Sequence, residues 1–222
     1  MDGATLSRKV FAGYGKAASR VGRKMDVYRP TTPNDPLNVN NVIATINAAF
    51  TIHSASNFSF DKPSDYNNPL YHGLFDPTGL DAGDYLVDPS GQMRPFFLAS
   101  ITPAMPPLIV SCNRTLSFYV ISKAQPLGLG GYAPAQASTT ENSDTALMTN
   151  WPVSLLRRGT AWYQYLPSDT GSGSFYILCP VFPGVVLRSA MIAVDEDGNR
   201  YALEGVEKSD LGWRIEALQL QT

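Results

Sequence analysis

Residues 83–119 read GDYLVDPSGQMRPFFLASITPAMPPLIVSCNRTLSFY. The stretch starts with the β-rich run Gly83-Asp84-Tyr85-Leu86-Val87 and turns at Asp88-Pro89-Ser90-Gly91. It resumes as Phe96-Phe97-Leu98-Ala99-Ser100-Ile101. Proline at the second position of the turn and glycine at the fourth fit a type I turn between two strands. Pro103, Pro106 and Pro107 then interrupt the chain, and a third run follows from Leu108-Ile109-Val110 to Leu116-Ser117-Phe118-Tyr119-Val120. Three strands in so short a span seed a small antiparallel barrel or sandwich, and no set of catalytic residues lies on them.

Downstream, residues 122–150 lose their pattern in Pro, Gly and small polar residues and read as a linker or exposed loop. The Gly128-Leu129-Gly130-Gly131 run within it lacks the Lys-Ser/Thr and the helix of a phosphate loop. Strand signals return at 162–166, at Ser174-Phe175-Tyr176-Ile177-Leu178-Cys179, at Val185-Val186-Leu187 and at Met191-Ile192-Ala193-Val194. Two more, residues 200–206 and 211–218, follow the turn Asp195-Glu196-Asp197-Gly198. That turn echoes the first: Val87-Asp88-Pro89-Ser90-Gly91 and Val194-Asp195-Glu196-Asp197-Gly198 both spell V-D-x-x-G between two strands. The echo suggests two related β modules.

Upstream, residues 51–73 mix aromatics with Asn, Ser, Asp and Pro and read as a long surface loop. Ile43, Ile46, Ala48 and Phe50 before it signal a strand. Pro30, Pro33 and Pro36 set an extended connector, since each proline drives its predecessor out of the α region. Residues 4–22 predict an amphipathic helix with Leu6, Val10, Tyr14, Ala17 or Ala18, and Val21 as its apolar stripe. Gly13 and Gly15 each weaken it by about 1 kcal/mol relative to alanine, so it needs a surface to lie on. The expected organisation is a basic helical arm over 1–29, a β module over 30–122, a linker over 123–150 and a second β module over 151–222. The fold class is mainly β: two small antiparallel barrel or sandwich modules with an N-terminal amphipathic helix.

The 222-residue chain has a net charge of −2, unevenly distributed. Residues 1–29 hold Arg8, Lys9, Lys16, Arg20, Arg23, Lys24 and Arg29 against Asp2 and Asp26, a local +5 that leaves −7 for the rest. Such asymmetry between segments can mark contact with nucleic acid, a membrane surface or an acidic partner. The first six of those cations are the candidate partner- or DNA-contacting residues. A docking helix, a DNA-facing arm and a transit-peptide-like leader compete with a plain solvated face. The leader reading is weakened by Asp2 and the few serines, and the DNA reading by the lack of interleaved aromatics. Charged residues make up only 16% of the chain, well below the usual quarter, which suits a protein that covers its flanks with neighbours.

Chemistry is sparsely signalled. Cys112 and Cys179 have no CxxC spacing and read as buried free thiols. His53 and His72 lack any metal-ligand frame. Asp76, Asp81, Asp84, Asp88 and the 195–197 acids read as turn formers rather than calcium ligands or a glycosidase pair. No G-x-S-x-G is present, no apolar run approaches a membrane span, and neither cofactor nor enzyme class is expected.

With these residues laid out, residues 83–118, preceded by the basic helix and by DVYRPTTPNDPL (26–37), resemble a family of tailed-bacteriophage and prophage virion proteins. The closing VDEDGNRYALEGVEKSDLGWRIEAL (194–218) is similar to the barrel hairpins of phage head-completion and head-tail adaptor proteins. The resemblance implies a structural part of the virion, assembled in the bacterial host cytoplasm. It implies a head-tail connector at the neck that forms a homo-oligomeric ring and meets portal and tail proteins. Contact with packaged DNA is open to the basic helix, and no membrane is involved. The chain is longer than small head-closure proteins, so baseplate or tail-fibre attachment is the alternative. A rival class is a sugar- or receptor-binding β protein that stacks ligands on Tyr66, Tyr71, Trp151 and Trp162. A wall-degrading hydrolase would need paired acids in a groove.

Overall fold

A computed structural model describes residues 2–52, 69–121, 144–157 and 173–220. The chain opens with helix α1, Gly3–Val21. Asp2 caps it: its carboxylate accepts the Thr5 N–H at 2.8 Å, which holds the Asp2 carboxyl below its ordinary range. Of the expected apolar stripe only Ala18 is fully buried. Leu6 remains 49% exposed and Val21 70%. Val10 and Tyr14 are half-buried on the same face, and the small residues beside them let the helix backbone approach the sheet. A side chain at Gly15 would put its Cβ 3.0 Å from that of Asp76. One at Gly22 would lie 2.7 Å from the Ala48 carbonyl oxygen.

From Gly22 the chain passes straight into the first barrel. Its strands are β1 (Arg23–Tyr28), β2 (Val42–Ile52), β3 (Leu70–Leu74), β4 (Tyr85–Val87), β5 (Phe96–Ser100) and β6 (Leu108–Ser111). The second barrel comprises β7 (Arg114–Val120), β8 (Thr145–Arg157), β9 (Ser174–Cys179), β10 (Ile192–Asp195), β11 (Arg200–Ser209) and β12 (Gly212–Gln219). The strand orders are β1-β2-β3-β6-β5-β4 and β10-β11-β12-β9-β8-β7, both closed and antiparallel. Written out, the two are wired alike. Each is a pair of three-stranded meanders joined through their first strands (β1 with β4, β7 with β10) and their third strands (β3 with β6, β9 with β12). Closure leaves neither barrel with a free sheet edge.

Several expected boundaries move. The arm ends at Val21 rather than residue 29, because Met25 and Val27 alternate into the first barrel. Residues 114–120 belong to the second barrel, and only Cys112 and Asn113 separate β6 from β7. Asn113 makes this short crossing possible: its side-chain amide donates to the Leu155 carbonyl at 2.8 Å and accepts the Leu155 N–H at 2.7 Å. Residues 145–150 are strand rather than linker, 70–74 strand rather than loop, and 185–187 carry no strand. In the last case Pro183 and Gly184, the latter at φ 86°, bend the chain away from any ladder. The readings at 53–68, 122–143 and 158–172 lie outside the described residues.

The core explains why the 83–119 stretch lacks clean alternation. Leu86, Phe96, Leu98 and Ile109 fill the first barrel together with Met25 and Val27. Their neighbours Tyr85, Phe97, Ala99 and Val110 join a second apolar cluster shared with the other barrel. β5 is therefore buried on both faces, one inside its own barrel and one against its neighbour. Residues 151–155 of β8 are likewise buried without interruption. Each fully buried Val, Leu, Ile, Phe or Met side chain among them contributes about 1.5–3 kcal/mol.

Candidate interaction surface

Polar contacts add to the apolar wall between the barrels. Tyr85 donates its hydroxyl to the Pro152 carbonyl at 2.8 Å, and its ring meets that of Trp151 edge-on at 6.0 Å. The proline-set connector straps across β8. The Pro33 carbonyl accepts from the Trp151 indole at 2.6 Å and from the Thr149 N–H at 3.1 Å, while the Asp35 N–H reaches the Thr149 carbonyl. Asp35 and Asn150, both at positive φ, are joined side chain to side chain across this seam. The sequence announced an extended connector through its prolines. It gave no sign of the strand on which that connector lies.

The acidic residues serve the fold. Asp84, almost fully buried, holds Arg29 through two contacts of 2.8 and 2.7 Å and accepts the Asp81 N–H. Arg29 also donates to the Gly79 carbonyl and pairs with Asp81 at 2.9 Å. The Asp84 hydrogen bonds and the two nearby carboxylates strengthen the hold of Arg29 on its proton.

The two V-D-x-x-G turns are one device used twice, on the topologically equivalent hairpins β4–β5 and β10–β11. Asp88 accepts the Ser90 N–H and hydroxyl, and Gly91 closes the turn onto the Asp88 carbonyl. Asp195 accepts the Asp197 and Asn199 N–H groups, the Asn199 amide and the Tyr201 hydroxyl, while Gly198 closes onto its carbonyl. Burial pushes the Asp195 carboxyl up, but these donors together outweigh it and hold it below the ordinary range. Burial and then the Asp195 carboxylate push the Tyr201 hydroxyl well up.

Cys112 and Cys179 are free and buried, as the lack of CxxC spacing suggested. Burial raises both thiols far from the thiolate state that nucleophilic or ligand chemistry requires. Among the described residues no group of three His, Cys, Asp or Glu is placed to hold a metal ion. No described helix is long and apolar enough to cross a membrane. Of the four aromatics considered for sugar stacking, Trp151 is 1% exposed and Tyr71 packs edge-on against Phe96 at 5.6 Å. Tyr66 and Trp162 lie outside the described residues.

What faces outward is the cationic set. Arg8, Lys9, Lys16, Arg20, Arg23 and Lys24 are all exposed. Lys9, Lys16 and Arg20, at i, i+7 and i+11, share one face of α1. Lys16 and Arg20 stand two residues either side of the buried Ala18, so that face points away from the barrel. Arg8 lies on another face. Arg23 and Lys24 belong to β1, where Arg23 leans onto Gln92 at 3.1 Å and approaches Asp88 at 3.9 Å. Thus three of the six candidates form a single stripe and the others do not join it. Beside the helix end, Val21, Arg23, Ala49, Phe50 and Met93 border an open groove of about 470 Å³.

Compared with family models, with curated proteins and with solved structures, the chain matches none of them.

Proposed function

We propose that this chain is a structural component of a tailed-phage virion: a ring-forming head-tail connector that links portal and tail and performs no catalysis. Its localisation is the virion, and its partners are copies of itself and neighbouring virion proteins. The observation that carries this reading is the division of labour in the molecule. A doubly closed β body is strapped together internally, and a helix held by small residues presents its cations outward. A ring subunit needs a rigid body to be packed against and an arm to reach its neighbours. The low charge of the body suits flanks covered by other subunits. The phage resemblance of residues 26–37, 83–118 and 194–218 supplies the virion context.

Deleting this gene from a lysogen that carries it tests the reading. The expected products are DNA-filled heads and free tails that do not join. Complete, infectious particles from the deletion strain would refute it. Particles with joined tails but no adsorption would move the chain to the baseplate or fibre.

A further inference from the structure

We propose that the outward face of α1 docks on the β11–β12 hairpin of a second copy of this chain, in a head-to-tail contact. The proposal rests on the homo-oligomeric part of the function above and names the surfaces that meet. The helix presents Lys9, Lys16 and Arg20 in one stripe, with Leu6, 49% exposed, on its flank. Among the described residues none of these three cations has an ion-pair partner, and of the strands the helix packs chiefly on β2 and β3 of its own barrel. A face that is both cationic and apolar calls for an acidic protein surface with an apolar member. A phosphate backbone would satisfy the cations and leave Leu6 in water.

The chain carries such a surface on its other barrel. Glu204, Glu207 and Asp210 are exposed along one hairpin, and Leu211 beside them is 45% exposed. The hairpin's own cations lie over rings, Lys208 over Trp213 at 6.0 Å and Arg214, opposite Glu207, over Tyr176 at 5.5 Å. The remaining acids around the β10–β11 turn are engaged: Glu196 and Asp197 hold Arg114, and Asp195 is satisfied within its turn. The spans agree. Lys9 to Arg20 covers roughly 16 Å at the helical rise, and Glu204 to Asp210 roughly 20 Å at the strand rise. Because donor face and acceptor face lie on different parts of the chain, the contact is heterologous. Such contacts repeat from copy to copy and close into a ring when the rotation allows.

Charge reversal with complementation tests this on the full-length protein. One variant carries K9E, K16E and R20E, which keep good helix formers on exposed positions. The other carries E204K, E207K and D210K. Native mass spectrometry and sedimentation read the assembly, and circular dichroism confirms that both variants are folded. The expected result is that wild type assembles, each variant alone requires at least about tenfold more protein to do so, and an equimolar mixture regains the wild-type mass. Wild-type assembly that neither reversal weakens, or a mixture that stays dissociated, overturns the proposed contact and leaves the ring reading standing. Wild type that stays monomeric overturns both. If the helix reversal abolishes binding of a random-sequence DNA duplex and leaves the mass unchanged, the stripe is a nucleic-acid face and the proposal fails.

Discussion

Asp195 is the clearest case of one residue doing several structural tasks. Its carboxylate accepts four hydrogen bonds that together close the β10–β11 turn and pin Tyr201 in the core. Because its folded pKa is depressed, it contributes stability that is complete above the unfolded value of about 3.9 and is lost as pH falls through the folded value. Asp195→Asn should cost about 1.5–3 kcal/mol at neutral pH. It should also flatten the loss of stability below about pH 4, as read from urea midpoints across pH. An unchanged acid limb would show that the carboxylate is not the group being titrated. Tyr85→Phe is a smaller probe of the seam between the barrels. It leaves the Pro152 carbonyl without its 2.8 Å donor and should cost about 1 kcal/mol.

At the scale of elements, Gly13 and Gly15 within α1 and Gly22 just after it separate what was legible from what was not. The sequence shows Gly13 and Gly15 as weaknesses in a helix. A Cβ at Gly13 would meet nothing within 4 Å, whereas at Gly15 it would press on Asp76, and at Gly22 on the backbone of Ala18 and Ala48. Gly13→Ala should therefore stabilise the protein by about 0.5–1 kcal/mol, and Gly22→Ala should destabilise it by about 1–3 kcal/mol, both by urea unfolding. Equal effects from the two would mean that the helix is not seated as described. The turns at Asp88 and Asp195 were legible because their chemistry is local: a carboxylate, a glycine and two flanking strands. The apolar stripe was legible in its middle, where Val10, Tyr14 and Ala18 lie on the face that packs, and not at its ends, because periodicity does not report how far the partner surface extends and Leu6 and Val21 lie beyond it. The seam between barrels was illegible for a related reason. Tyr85, Phe97 and Trp151 look like ordinary strand aromatics until the strands carrying them are packed on both faces. The bounds of the second barrel were missed because two residues, with Asn113 bonded to Leu155, replace the linker that a boundary usually shows.

For the whole molecule, the same wiring used twice and a shared apolar wall make the barrels interdependent. Trp151, on the second barrel, contacts Tyr85 of the first, packs on Phe182 and donates to Pro33 of the connector, so it ties all three together. Trp151→Ala should cost about 3–5 kcal/mol. In calorimetry the wild type should unfold in one transition and the variant should separate into two. Two well-resolved transitions in the wild type would mean that the wall does not couple the barrels. A rigid body of this kind, with a stripe of three cations on its N-terminal helix, is what the ring reading requires. The direct test of that reading is the mass of the purified full-length protein at low ionic strength, measured alongside electron microscopy of the same sample. The expected result is a closed ring of several copies that loosens as salt is raised. A monomer at every concentration, or an elongated trimer, would contradict it.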